Sequence, residues 1–192
     1  MSTARSRKEL SHERIVEAAA RAIRRSGYHG VGVADIMKEA GLTHGGFYAH
    51  FESREQMLVE AMQRAGRVGT GLMAEHIAAQ EARGENPFAA LVNGYLSDEQ
   101  LDNIDCGCIV AALSSEMPRQ GEAVRDEARL RVLSLIQAVR GALPAGADNA
   151  EADAIAATLV GALQLARTLG GQAGKSLLTR TRKFLLSSQV SG

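Results

Sequence analysis

The sequence predicts an all-α fold that begins with a short helix-turn-helix unit and continues into a larger helical part. Three observations carry this. Only three prolines, Pro87, Pro118 and Pro144, interrupt the 192 residues. Alanine, leucine, arginine, glutamate and glutamine, all strong helix formers, dominate the rest. The one β-branched cluster, Val31 to Val33, is too short and too glycine-flanked for a strand.

The first helix is expected from Ser11, whose hydroxyl can cap it, to the Ser26-Gly27 terminator. Ile15, Ala18, Ala19, Ala22 and Ile23 recur at helical spacing and mark its buried face, while Arg14, Arg21, Arg24 and Arg25 fall on the other. A second helix fits Val33 to Ala40, with Ile36, Met37 and Ala40 inward, and Gly41 ends it before a third starts at Thr43. Two short helices joined by a glycine turn are a helix-turn-helix signature. The fourth helix starts at the Ser53 cap, with Gln56 placed to reach back, and runs to about Gln80 with a kink expected at Gly66, Gly69 and Gly71. Further helices are expected over 88–101, 106–116, 121–143, 152–169 and 175–186, with 144–149 as a linker.

A length of 192 residues means one large domain or two small ones, and 45 % hydrophobic with 23 % charged residues excludes wholesale disorder, collagen and coiled-coil rods. Basic and acidic residues balance at 22 each, so nucleic-acid binding must come from local arrangement. Residues 1–25 do hold seven basic side chains against three acidic ones. The N-terminus lacks the apolar stretch of a signal peptide and no run suits a membrane span, so a cytoplasmic protein with no membrane partner is expected. The five histidines and two cysteines lack metal-ligand spacing, no framed nucleophile with a partner histidine occurs, and no cofactor, metal or enzymatic activity is expected.

The informative stretch is GLTHGGFYAHFESREQML, Gly41 to Leu58. Thr43 opening a helix, with Gly45 and Gly46 in its first turn, allows close approach to a phosphate or groove edge. Phe47 and Phe51, four apart, pack inward and leave His44, Tyr48 and one edge of His50 outward.

This stretch, with Ile15-x-x-Ala18-Ala19, Gly27-Tyr28 and Asp35-Ile36 upstream, closely resembles the tetracycline-repressor (TetR) family of bacterial transcription regulators over residues 10–60. The resemblance implies a helix-turn-helix DNA-binding domain at 1–54 and an effector-binding and dimerisation domain at 55–192. It implies DNA contacts by Thr43, His44, Gly45, Gly46 and Tyr48, a supporting contact by His50 and a phosphate contact by Arg54, with Arg5, Arg7 and Lys8 as a flexible arm. The sequence departs from the family pattern at His44 and Arg54, where lysine is more usual, at Gly46, where threonine or serine is, and at Gly32, which replaces a threonine cap.

The implied partners are a palindromic double-stranded operator, a small-molecule effector and a second copy of the chain. Pocket candidates are Phe88, Leu91, Tyr95, Cys108, Leu133, Gln137 and Gln164, and the candidate dimer stripe is Ile155, Leu159, Ala162, Leu163, Ala166, Leu177 and Phe184. A ligand-released repressor is the leading function. One alternative makes Cys106 or Cys108 a redox or electrophile sensor. Another, from a different class, is a helical interaction module with vestigial DNA binding.

Overall fold

The computed structural model describes residues 6–188. In chain order its elements are α1 (Arg7–Ser26), α2 (Val33–Glu39), the 3₁₀ helix η1 (His44–Ala49), α3 (Arg54–Glu81), α4 (Pro87–Tyr95), α5 (Asp98–Asp102) and α6 (Ile109–Leu113). The 3₁₀ turn η2 (Met117–Arg119), α7 (Glu122–Ala142), α8 (Asn149–Leu169) and α9 (Gly171–Ser188) complete the chain. All regular structure among the described residues is helical, as the sequence predicts.

The first helix is capped at Ser6, five residues earlier than the expected Ser11. Ser6 accepts from the Glu9 amide at 3.2 Å while the Glu9 carboxylate accepts from the Ser6 amide at 2.6 Å, a reciprocal capping box that outcompetes a start at Ser11. Arg7 and Lys8 therefore belong to a helical turn and not to a flexible arm; Arg5 lies outside the described residues. The third helix is a six-residue 3₁₀ segment, because Gly45 and Gly46 weaken an α-turn that Phe47 and Phe51 nevertheless pin to the core. The expected 88–101 helix is two: Leu96 leaves helical geometry and Ser97 caps a fresh start by accepting from the Gln100 amide at 3.2 Å. The 106–116 helix shrinks to α6, since residues 103–107 form turns and η2 follows.

α3 runs through its three glycines as one 28-residue helix, and Ser53 caps it by accepting from the Gln56 amide at 3.1 Å. Met57, Leu58, Ala61, Met62 and Ala65 in its first half join α1, α2 and η1 in one apolar cluster, which also takes Ile109, Leu113, Met117 and Val124. Met73 and Ile77 in its second half pack on a second cluster built from α4, α7, α8 and α9. α3 thus belongs to both cores.

Where α3 crosses α7, a buried ion pair replaces apolar packing. Arg131 Nε lies 2.7 Å from Glu127 Oε1, and Gln63 donates to Glu127 Oε2 at 3.1 Å. Gly66 makes the space: a Cβ there would stand 2.3 Å from Arg131 Nη1. A Cβ at Gly69 would project into open space. Gly66→Ala is expected to lower stability by about 1–3 kcal/mol, as it pushes Arg131 off a buried carboxylate. Gly69→Ala is expected to raise it by up to about 1 kcal/mol through helix propensity alone. Urea denaturation of the two variants, read by circular dichroism, checks the opposite signs.

Candidate nucleic-acid interface

Gly41 at φ +69° ends α2 in a conformation that disfavours side chains, and Thr43 starts η1 in extended geometry. Phe47 and Phe51 are each 2 % exposed and stack at 5.4 Å between centroids. Tyr48 packs edge-on against Phe47 at 5.2 Å and is 76 % exposed, so its ring stands off a fixed base. Thr43, His44 and Gly45 are exposed beside it, with open space at the Gly45 Cβ position. Gly46 is half-buried, and a Cβ there would meet Met37 Cε at 3.6 Å, an ordinary contact.

η1 thus presents hydroxyl, imidazole, phenol and bare backbone, with no charged side chain of its own. These are groups that position on phosphates and read base edges.

Behind this face, His12 of α1 stacks on Phe51 at 4.5 Å and its Nε2 lies 2.6 Å from Glu60 Oε2 of α3. His50 is half-buried with Nδ1 unpartnered. Burial, then the nearby His12 and Lys8, makes it harder to protonate than a free histidine.

The arginines are spent differently from the sequence reading. Arg54 does not point outward: its guanidinium donates to the carbonyl of Tyr28 and, at 3.4 Å, to that of Val31, clasping α3 to the α1–α2 loop. Nor do Arg14, Arg21, Arg24 and Arg25 of α1 form a free basic face. Arg14 donates to the Ala40 carbonyl, while Arg21 and Arg25 pair with Glu39 at 3.3 and 3.0 Å. Arg25 also reaches Asp105 at 2.7 Å, and Arg24, 6 % exposed, donates to the Gly107 carbonyl at 3.5 Å. These partners lie up to 83 residues away, beyond the reach of helical spacing. The Glu116 carboxylate adds a further tie by accepting from the Tyr28 amide at 3.0 Å.

The dimer stripe needs the same correction. Ile155, Leu159, Ala162, Leu163 and Ala166 are all buried in this chain's own second core. Leu177 is half-buried and Phe184 is exposed, and the large outward hydrophobic residues of α8 are Leu165 and Leu169. The pocket candidates do not surround one cavity either. Phe88, Leu91 and Tyr95 are core, Leu133 and Gln137 are exposed, and Gln164 donates to Ser114 Oγ at 3.0 Å. An open groove of about 600 Å³ takes Leu133 alone of these candidates and lies between Ser114, Met117 and Pro118 on one side and Arg125, Ala128, Val132 and Leu133 of α7 on the other. Cys106 is exposed in the turn before α6 and Cys108 is half-buried at its N-cap, both as free thiols. No group of His, Cys, Asp and Glu suited to a metal, and no helix long and apolar enough to cross a membrane, occurs among the described residues.

Comparison with known proteins agrees with this geometry. Residues 15–61 match the family model described as bacterial regulatory proteins, tetR family. An uncharacterised HTH-type transcriptional regulator of Mycobacterium tuberculosis is 34 % identical over 108 residues, 54 % of this chain and 52 % of the relative. The HTH-type transcriptional repressor DhaR of a Mycobacterium species is 30 % identical over 119 residues, 60 % of this chain and 56 % of the relative. The chain therefore spans about half the length of the curated relatives it matches. A TetR transcriptional regulator from Chloroflexus aurantiacus superposes with a TM-score of 0.75 at 24 % identity, over 93 % of this chain and 96 % of that one, and so shares its fold.

Arg54→Met is expected to cost about 1–3 kcal/mol of stability while leaving the salt dependence of DNA binding unchanged. A phosphate contact would instead reduce the slope of log K against log salt by about 1, which fluorescence anisotropy at several salt concentrations resolves.

Proposed function

We propose that this chain, which carries the tetR-family segment at residues 15–61, is a member of that family and acts as a dimeric DNA-binding repressor released from a palindromic operator by a small-molecule effector. The observation that carries this reading is the exposed Tyr48, His44 and Thr43 face of η1, held by buried Phe47 and Phe51. The matched family is one of regulatory proteins, in agreement with the absence of an enzyme reading from the sequence.

In this proposal residues 1–54 bind DNA and residues 55–192 take the effector and the second copy. Thr43, His44, Gly45, Gly46 and Tyr48 meet the major groove, and His50 supports a backbone contact as a neutral imidazole. Two such faces reach successive half-sites about 34–36 Å apart only when two chains pair about a two-fold axis. The pairing surface is the outward side of α8 and α9, Leu165, Leu169, Leu177 and Phe184. That one of the relatives is a repressor by name supports the direction of control.

Selection of bound sequences from random duplex DNA tests the reading. Enrichment of a palindrome bound at least about a thousandfold tighter than random duplex is the expected result. Absence of enrichment by folded, dimeric protein would instead favour an interaction module whose DNA binding is vestigial. Tyr48→Ala is expected to weaken operator binding by about 1–3 kcal/mol, roughly five- to 150-fold, with an unchanged melting temperature. Leu165→Glu with Phe184→Glu is expected to yield monomers in analytical ultracentrifugation and to abolish operator binding with helix content intact.

A further inference from the structure

Between α4, α5, α6 and α8 lies a polar cluster that joins two of the expected pocket residues, Tyr95 and Cys108, to Gln100 and Arg167. Tyr95, Gln100, Cys108 and Arg167 converge there beneath the turn at Gly107. Tyr95 is 4 % exposed, and its hydroxyl lies against the Cys108 thiol without a hydrogen bond to any described residue's oxygen or nitrogen. Gln100 Oε1 is buried without a donor. Arg167 spends Nη2 on the Gln100 carbonyl at 2.8 Å, and its buried Nε has no acceptor. Among the described residues no carboxylate lies within ion-pair distance of it.

Arg167 is half-buried, and a partly desolvated guanidinium with a covered, unpartnered Nε gains from an anion within reach. Burial disfavours the Arg167 cation, and the neighbouring Cys108 and Tyr95 offset this only in part. The cluster therefore offers one cation and one hydroxyl donor and lacks the anion that would complete them. Gly107 is shaped to this place: a Cβ there would stand 2.5 Å from Arg167 Nη2 and 3.2 Å from Gln100 Oε1. Its carbonyl accepts from Arg24, and its near neighbour Asp105 pairs with Arg25, both on α1.

We propose that Arg167 and Tyr95, with Gln100 alongside, form the anion-binding end of the effector site and take the carboxylate of a small organic acid. A planar carboxylate matches the parallel N–H bonds of a guanidinium edge, and the Tyr95 hydroxyl supplies a further donor. An acid drawn to Arg167 shifts the Gly107 turn, and that turn is tied directly to α1 through Arg24 and Arg25. The existence of the site is independent of the repressor reading; its effect on DNA rests on it.

The test is calorimetry of the full chain, without DNA, against acetate, propionate, lactate and benzoate, with propionamide as neutral counterpart and inorganic phosphate as a competing anion class. At least one carboxylate is expected to bind, and propionamide and phosphate are not. Arg167→Gln should weaken the best acid by about tenfold or more, Tyr95→Phe by less, and Arg167→Lys should retain part of the binding. Circular dichroism checks that each variant is folded. No binding by any carboxylate at millimolar concentration, equal binding by Arg167→Gln, or preference for phosphate would each overturn the proposal. Anisotropy on the selected operator then separates the two readings. Acid binding by a chain with no operator leaves the site standing and removes the repressor, whereas operator binding without acid binding removes the site. Acid binding that leaves operator affinity unchanged overturns the link through Gly107.

Discussion

One helix is shared by two hydrophobic cores, and the rest of the structure follows from that constraint. The first half of α3 is buried against α1, α2 and η1, and its second half packs on the cluster of α4, α7, α8 and α9. Close-packed interiors deform poorly, so a displacement of α3 in one core must be accommodated in the other. The Glu127–Arg131 pair strengthens the constraint, because its hydrogen bond from Gln63 fixes the register of α3 on α7. The orientation of η1 is set by packing that lies well outside that segment.

A second tie runs beside α3. Arg24 and Arg25 hold the turn at 105–107, and Glu116 holds the Tyr28 amide, so the C-terminal end of α1 is fastened at two points to the segment around α6. These contacts consume cations that would otherwise form a positive surface. The exposed face of η1 consequently offers shape and neutral hydrogen-bonding groups, with Arg7, Lys8 and Lys38 as exposed basic residues nearby in sequence. A net charge of zero is consistent with that economy.

Much of this was legible in the sequence. The spacing of Ile15, Ala18, Ala19, Ala22 and Ile23 marked the buried face of α1, and all five are buried. Phe47 and Phe51 were read as inward and Tyr48 as outward, and their exposures agree. The Ser53 cap and the Gly41 break were visible because capping and left-handed backbone are local chemistry. The first helix start was missed although Ser6 and Glu9 carry an equally local signal.

The sequence by itself determined that the chain is helical, the buried face of α1, the Ser53 cap, the Gly41 break and the inward–outward pattern of η1, since these depend on interactions within about four residues. Only the tertiary structure decided which apolar stripe of α8 is core and which faces out, because burial in one's own chain and burial in a partner demand the same residues. It alone decided where the guanidinium groups go as well. Arg24, Arg54 and Arg167 end on carbonyls between 23 and 83 residues away, and no periodicity encodes a partner at that separation.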